Sequence, residues 1–496
     1  MVRNSVSGIL CICLVTAVSV TLGVSACSNA DSKKQAQRED MPFIRDDQGR
    51  ALILHGINVA SSAKNDPQRI PVFTRDDALR LSKDWGFNFV RYLILWDAVE
   101  PEPGEINQAY FDLVQERLDW FHEAGILVVI DMHQDVYAAR FCCDGAPEWA
   151  IIDDGEPFEM QGAWYQNYFQ PAVQRAFDNF WDYEGPHPEL QDHYAGAWEA
   201  VARRFKDHPA VIGYDIMNEP HPGSMMDLTE LIGIENPDAG PSPVFDTTRL
   251  QPFYQRMINR IRQVDNDNWI FYEPRYGAPG NGFKSYLGVL EDPRPGENRI
   301  AYFPHLYSIR LEAKEEYDPS VDTSVFEWEQ RREEEKLAQN APLLLGEWGL
   351  NPSFDNARLF MRHVVEMSDR SLAGWAYWSW DPGGWSIVNP DLTERETAND
   401  LVRVYPQRIA GKPDSFIYVA DTHEFILAFY DSPGISGPME IYIPKSRFYP
   451  CGYTVNVGDP QGSWSMQWNE ETEILSVTTP YTDTMHTIEI LPKTGC

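Results

Sequence analysis

Two glutamates stand out by their neighbours. Asn218-Glu219-Pro220 closes one apolar run, and Glu347 lies near the end of another, in LLLGEWG at 343–349. Two carboxyl groups facing each other across a cleft can hydrolyse a glycoside: one protonates the leaving oxygen while the other attacks the anomeric carbon. Retention of anomeric configuration asks for a separation of roughly 5–5.5 Å. A buried carboxyl, or one beside another negative charge, holds its proton to higher pH and suits the acid role. With 75 Asp and Glu in the chain, one glutamate at the end of a run is weak evidence. Most such groups are solvated or ion-paired, and Glu273 in WIFYEP is set aside on that ground.

The elements that must hold the pair can be read from the same runs. Eight apolar stretches succeed one another: 51–60, 87–95, 126–133, 211–220, 269–274, 300–308, 341–349 and 372–380. Amphipathic segments such as DDALRLSKDWG, AYFDLVQERLDWFHEAG and FEWEQRREEEKLAQN lie between them. This alternation predicts an α/β fold, a (β/α)8 TIM barrel over residues 45–400. The runs start apolar, as parallel strands buried on both faces do. They turn polar at their ends: His55 and Asn58, Arg91, Asp131 and His133, Asn218 and Glu219, His305 and Tyr307, Glu347, Trp378. Barrel enzymes carry their site at that end. Two long insertions follow strand ends and should rim the pocket, or else pack as small satellite cores. Residues 134–193 bring Trp149, Trp164, Tyr165, Tyr168 and Phe169; residues 221–248 bring Met225, Met226, Leu228, Leu231, Ile232 and Ile234. From 401 to 496 the texture becomes short alternating strands between Gly, Pro and Asp turns, which predicts a small β-sandwich. It would bind lipid or sugar, or brace the barrel, and bracing is the favoured role.

Composition narrows the function. Lys and Arg number 41 against 75 Asp and Glu, a net charge of −34, which repels nucleic acid. The 16 Trp, 23 Tyr and 24 Phe exclude a disordered chain. The N-terminus has Arg3, an apolar run from Gly8 to Val24, and Val24-Ser25-Ala26-Cys27. A signal over 1–26 and a flexible tether over 27–44 are expected, so the protein is exported. The end of the signal resembles a bacterial lipobox, which implies lipidation of Cys27; plain secretion is the alternative. Cys142, Cys143, Cys451 and Cys496 remain for disulfides, as suits an exported chain. Cys451–Cys496 would staple the C-terminus, and the adjacent Cys142 and Cys143 are either a vicinal bridge or two free thiols. No metal or organic cofactor is expected, and a monomer is.

The joint pattern resembles glycoside hydrolase family 5: Asn-Glu-Pro on strand four, an isolated Glu on strand seven, and Arg91, His133, His305, Tyr307 and Trp378 on the others. The resemblance implies Glu219 as acid/base and Glu347 as nucleophile. Asn218 would bond the sugar 2-hydroxyl, Tyr307 and Arg91 would position and ionise Glu347, and Trp378 would stack on sugar. His133 and His305 would bond the sugar or the carboxylates, or serve in the core. HGINVASSAKN, DMHQDVYAARFCCDGAPEWA and HLY are similar to the endoglycoceramidase branch, which frees intact oligosaccharide from the ceramide of glycosphingolipids. There Lys64, His133 and Asp135 match sugar contacts. The implied partners are a glycosphingolipid and, through it and an anchor, a membrane surface. Competing expectations are an endo-β-glucanase, a glucosylceramide or steryl-glucoside β-glucosidase, and a silent glycan-binding lipoprotein.

Overall fold

The structure, a computed structural model, describes residues 42–226, 241–482 and 484–495. The signal, Cys27, most of the tether, Leu228, Leu231, Ile232, Ile234 and Cys496 lie outside the described residues, and with them the Cys451–Cys496 pairing. No helix among the described residues is long and apolar enough to cross a membrane.

Each of the eight apolar runs contains a barrel strand: β1 (His55–Val59), β2 (Phe89–Leu95), β3 (Leu127–His133), β4 (Val211–Asp215), β5 (Trp269–Tyr272), β6 (Ile300–Tyr302), β7 (Leu344–Trp348) and β8 (Gly374–Tyr377). Neighbours pair in parallel from β1 through β6, and β1 pairs with β8 and β8 with β7. Between β6 and β7 the ring is closed by parallel bridges, Tyr302 to Leu343 and Leu306 to Trp348.

Helices cover the outside where the sequence is amphipathic. Helix α1 (Arg75–Lys83) starts at Thr74, whose hydroxyl and the Asp77 carboxylate cap each other's backbone. Helix α2 (Gln108–Glu123) starts at Asn107, whose side chain accepts from the Tyr110 N–H. Helix α3 (Pro171–Trp181) lies in the first insertion; α4 (Glu189–Phe205), α5 (Gln251–Ile261), α6 (Ser324–Gln339) and α7 (Ala357–Arg370) follow. The crossing from β5 to β6 departs from the alternation, since residues 273–299 hold only a 3-10 turn, Ala278–Asn281.

Strand alternation sorts the interior into layers. Phe89, Val129, Phe271, Ala301, Phe303, Leu344 and Ala376 form an inner apolar plug. Two residues on along their strands come Arg91, Asp131, Glu273 and His305, because side chains on one face recur every second residue. The plug excludes water from below, so the charged layer above it can open only toward the C-terminal mouth.

The C-terminal unit is a sandwich of β9 (Tyr405–Ile409), β10 (Lys412–Val419), β11 (Glu424–Tyr430), β12 (Met439–Tyr442), β13 (Tyr453–Val457), β14 (Ser465–Asn469), β15 (Ile474–Thr478) and β16 (Met485–Pro492). One antiparallel sheet runs β9-β12-β15-β14 and the other β10-β11-β16-β13. The run expected as one strand over 51–60 is divided. Ala51–Leu52 joins β9 at the edge of the sandwich, and only His55 onward enters the barrel. Tyr405 stacks on the buried His55 with ring centroids 3.9 Å apart, and its hydroxyl donates to the Gly86 carbonyl at 2.7 Å.

Candidate active site

Glu219 and Glu347 meet at the mouth of the barrel, each offering an oxygen within 4.8 Å of the other and of the His305 ring nitrogen. Two backbone irregularities aim them. In β7 the register shifts between Leu345 and Trp348. Leu344 packs inside the barrel and Leu345 outside, yet Trp348 also packs outside. Without the shift Glu347 would point away from the mouth, a known use of a bulge. Glu219 follows β4 with φ of 43°, a left-handed conformation that costs a non-glycine residue about 1–3 kcal/mol and is concentrated at functional sites. The Gln134 side-chain amide holds this turn by donating to the carbonyls of Asn218 and Glu219 at 2.9 and 3.0 Å.

The two carboxyls experience opposite fields. Burial raises the pKa of Glu219 above the ordinary glutamate value, and the bond from His305 Nδ1 at 2.9 Å only partly offsets it. Burial alone would also raise Glu347, but His305, Arg91, His133 and Lys64 outweigh it and hold that carboxyl low. Tyr307 donates its hydroxyl to Glu347 Oε2 at 3.0 Å, and Arg91 Nη1 donates to Oε1. The site therefore favours the protonated form of Glu219 and the ionised form of Glu347.

Arg91 has no solvent exposure and anchors the layer below. Its guanidinium lies 2.8 Å from Asp215, 2.9 Å from Glu273 and 3.0 Å from Asp131, besides Glu347, and donates to Asn218 Oδ1 at 2.9 Å. Burial and Glu273 push the Asp215 carboxyl well above the usual range, while Arg91 pulls it back. The pKa of His133 rises to about 9 against burial and Lys64, through Asp131 and Asp135. His305 rises through Glu273 and Glu347, also against burial. Three basic side chains, Arg91, His133 and His305, thus face the four carboxyl groups Asp131, Asp215, Glu273 and Glu347, which keeps so many buried ionisable groups tolerable.

The cleft above encloses about 1020 Å³. One arm is polar, with Ser61, Lys64, Asn65, His133 and Asp135; Trp378 lines it as a half-buried ring. His133 stacks on Trp378 at 5.6 Å, Lys64 sits 4.6 Å over the same ring, and Lys64 also pairs with Asp135. The rest of the lining, termed the apolar arm for its Pro274, Tyr276, Ile309, Ala313, Trp164, Tyr165 and Phe169, also holds Arg275 and Glu312. All ten residues singled out from the sequence are in or directly beneath this one cleft, Arg91 being the one beneath.

A cellulase model, glycosyl hydrolase family 5, matches residues 46–384, and a model of that family's C-terminal domain matches residues 403–490. The chain belongs to glycosyl hydrolase family 5. Among its relatives, an endoglycoceramidase of Hydra vulgaris is 26% identical over 483 residues, 90% of this chain and 87% of that one. Endoglycoceramidase I of Rhodococcus hoagii (strain 103S) is 27% identical over 441 residues, 85% of this chain and 82% of that one. Endo-glycoceramidase II from Rhodococcus sp. superposes with a TM-score of 0.83 at 38% identity, over 91% of this chain and 100% of that one. That protein has also been solved with ganglioside GM3 and as a lactosyl-enzyme intermediate.

In this family 5 glycoside hydrolase several further residues bear on the site. Glu273, dismissed from its sequence context, is indeed ion-paired, but its position matters. It accepts from the Glu219 backbone N–H at 2.8 Å and from Arg91 at 2.9 Å, and His305 Nε2 lies 3.1 Å from it. It ties the turn that carries one carboxyl to the cations that serve the other. The first insertion divides as both readings allowed: Trp164, Tyr165 and Phe169 line the cleft, whereas Tyr168 is buried, stacked on His221 at 4.3 Å. Met225 and Met226 pack into the core rather than the cleft lining. Cys142 and Cys143 are bonded to each other. Two clusters, Glu219-His305-Glu347 and His133-Asp135-Asp144, have the spacing of metal ligands. Arg91 and Lys64 already face them, so a metal ion there would meet positive charge.

Asp144 has no motif around it. It is fully buried, with neither carboxylate oxygen hydrogen-bonded among the described residues, and burial and Asp135 raise its pKa to about 7. A carboxyl raised by folding contributes stability that is complete below the unfolded pKa and is lost as pH rises through the folded one. Between about pH 4 and 7, Asp144 should cost the fold up to roughly 4 kcal/mol. Urea unfolding at acid and at mildly alkaline pH should therefore show a shallower decline in Asp144→Asn than in the wild type. Equal declines would mean that Asp144 does not titrate in this range.

Proposed function

We propose that this enzyme cleaves the β-glycosidic bond between oligosaccharide and ceramide in glycosphingolipids, with Glu219 as acid/base and Glu347 as nucleophile. The observation that carries this reading is the approach of the two carboxyls to within 4.8 Å with opposite proton affinities. Retaining glycosidases separate them by roughly 5–5.5 Å, while inverting ones need about 6.5–9.5 Å to admit a water.

Glu347 attacks the anomeric carbon as Glu219 gives its proton to the ceramide oxygen. Ceramide leaves, and the sugar remains as an ester of Glu347. Glu219, now ionised, takes a proton from water, whose oxygen attacks the same carbon and frees Glu347. Asn218, fixed by Arg91 and by its own donation to the Gln134 carbonyl at 3.0 Å, presents its amide to the 2-hydroxyl. Lys64, His133, Asp135 and Trp378 hold the sugar along the polar arm. Glu219 faces the leaving group, so the lipid lies along the apolar arm. The GM3 complex and lactosyl-enzyme intermediate of the Rhodococcus protein support this choice of substrate and stereochemistry.

The reading extends to the whole chain. The signal over 1–26 and an acylated Cys27 would keep the enzyme on the outer face of the cell membrane, near its substrate, with a second contact needed for stable attachment. It works as a monomer. The sandwich braces the barrel, a role supported by the shared strand Ala51–Leu52 and by Tyr405 against His55.

The test uses the full mature enzyme and detergent-dispersed lipids: a ganglioside, lactosylceramide, a galactose-linked series, glucosylceramide and, as control, carboxymethylcellulose. Mass spectrometry should find ceramide together with intact oligosaccharide. Ceramide from glucosylceramide alone would make it an exo-glucosidase, and cleavage of cellulose alone a glucanase.

A further inference from the structure

The start of the first insertion, just after β3, carries a feature that hydrolysis itself does not need. Cys142 and Cys143 are bonded to each other, both are half-buried, and both line the cleft beside Lys64 and Asp135. Adjacent cysteines so joined close a small ring through their shared peptide bond. Their sulfurs then form a stiff, polarizable apolar surface without side-chain freedom.

The loop beneath holds that surface in place. Asp135 and Asp144 exchange backbone hydrogen bonds of 3.3 Å in each direction. The Ala146 N–H donates to the Tyr137 carbonyl at 2.7 Å, and the Asp97 N–H to the Gly145 carbonyl at 2.9 Å. Gly145 has φ of 124°, and a β-carbon there would lie 2.6 Å from the Tyr137 oxygen. Phe141, just before the pair, is buried against Phe158 at 5.1 Å. Left-handed backbone at Val136, Tyr137 and Cys142 is a cost that proteins retain mainly where a site needs it.

A rigid apolar patch bordered by a fixed cation and a fixed carboxylate has the composition of a pyranose site. The C–H face of the ring packs on the patch and the hydroxyls meet the polar groups. We infer that the Cys142–Cys143 disulfide is the platform of a second hexose subsite, packing against the glycone sugar next to the one being cleaved, with Lys64 and Asp135 within reach of its hydroxyls. The inference rests on the proposed reading in one respect: Glu219 faces the leaving group, which places the glycone on the arm of Lys64.

The experiment compares 2,4-dinitrophenyl β-lactoside with the corresponding β-glucoside. Their leaving group needs no acid and makes no lipid contacts, so the ratio of their kcat/KM values isolates the second sugar. In C142S/C143S, and less so in C142A/C143A, the lactoside-to-glucoside ratio should fall about five- to tenfold, the range expected for losing one well-packed ring contact. Free lactose should weaken as an inhibitor while free glucose does not. If neither variant folds, reversible reduction of the wild-type enzyme supplies the same comparison, with the ratio falling under reductant and returning on reoxidation. A ratio unchanged within twofold, or a parallel fall for both substrates, overturns the subsite and leaves the glycosidase reading intact. A wild-type enzyme that hydrolyses neither substrate overturns the glycosidase reading, and the subsite with it.

Discussion

Glu347→Ala should lower kcat on lactosylceramide by roughly 10⁴–10⁶-fold, as expected when a nucleophile is removed from residues that act as a unit. Its fold should survive, because the variant leaves Arg91 with three other carboxyl partners. Azide added to this variant should restore turnover of an activated lactoside and yield the α-glycosyl azide, since a small anion then attacks where the carboxylate stood. Glu219→Ala should behave differently. It loses about 10²–10⁴-fold on the ceramide substrate, whose alkoxide needs a proton, and much less on a dinitrophenyl leaving group. The pH profile follows from the same pair. Glu347 must be ionised, and its lowered pKa places the acid limb of kcat/KM below the ordinary glutamate range. Glu219 must be protonated, and its raised pKa places the alkaline limb above that range. Glu219→Gln should remove the alkaline limb. If Glu347→Ala retained wild-type turnover, or azide gave only the β-product, the nucleophile would be another residue.

The fold was legible because its signal is repetitive. Eight apolar runs ending in polar residues leave little choice of architecture, and period-two alternation already implies that Arg91, Asp131 and Glu273 share the inner face. What the pattern could not show was parity at the strand ends. Glu347 faces the mouth because β7 is irregular before Trp348, and Glu219 does so through a left-handed turn; neither feature has a local sequence signature. The short strand Ala51–Leu52 was hidden because one continuous apolar run, 51–60, serves two sheets in succession. His133 and His305 were balanced between core and site on sequence grounds. Their neighbours decide the matter: carboxyls from other strands, Glu273 and Glu347, raise the pKa of His305, while Asp131 and Asp135, on either side of His133 along its own chain, raise that of His133.

Glu273 and Asp144 show a different kind of blindness. Both are ordinary acidic residues in a chain rich in them, and their importance arises only from burial. Glu273 gains its role from Arg91 on β2, His305 three residues past β6 and the Glu219 N–H four residues past β4, none adjacent in sequence. Asp144 stands out only because its buried carboxylate oxygens accept no hydrogen bond among the described residues, a property no linear motif encodes. Sequence reasoning could have flagged Glu273 by parity, since it lies two residues beyond the inward Phe271, as Arg91 does beyond Phe89.

Arg91→Met should produce the largest loss of stability among single changes at this site. The substitution keeps much of the side-chain volume but removes the guanidinium that touches Asp131, Asp215, Glu273 and Glu347. Breaking a buried pair by deleting one partner costs about 3–5 kcal/mol, because the other charge is left in low dielectric. Here four carboxyls lose the same cation, so the cost should reach at least that range. The remaining carboxyls respond by taking up protons, as like charges crowded together do. Glu347 loses one of the cations that hold its pKa down, so the acid limb of kcat/KM should move to higher pH. Arg91→Lys separates charge from geometry. It restores the positive charge but presents a compact ammonium in place of a planar fork, and so cannot reach Asp215 on one side and Glu347 on the other together. Its stability should fall between the other two, with the acid limb still displaced. Urea unfolding and pH-dependent kcat/KM on the three proteins would measure both effects. If the lysine variant matched the wild type in both, the fork geometry would be irrelevant, and the buried layer would need only a charge.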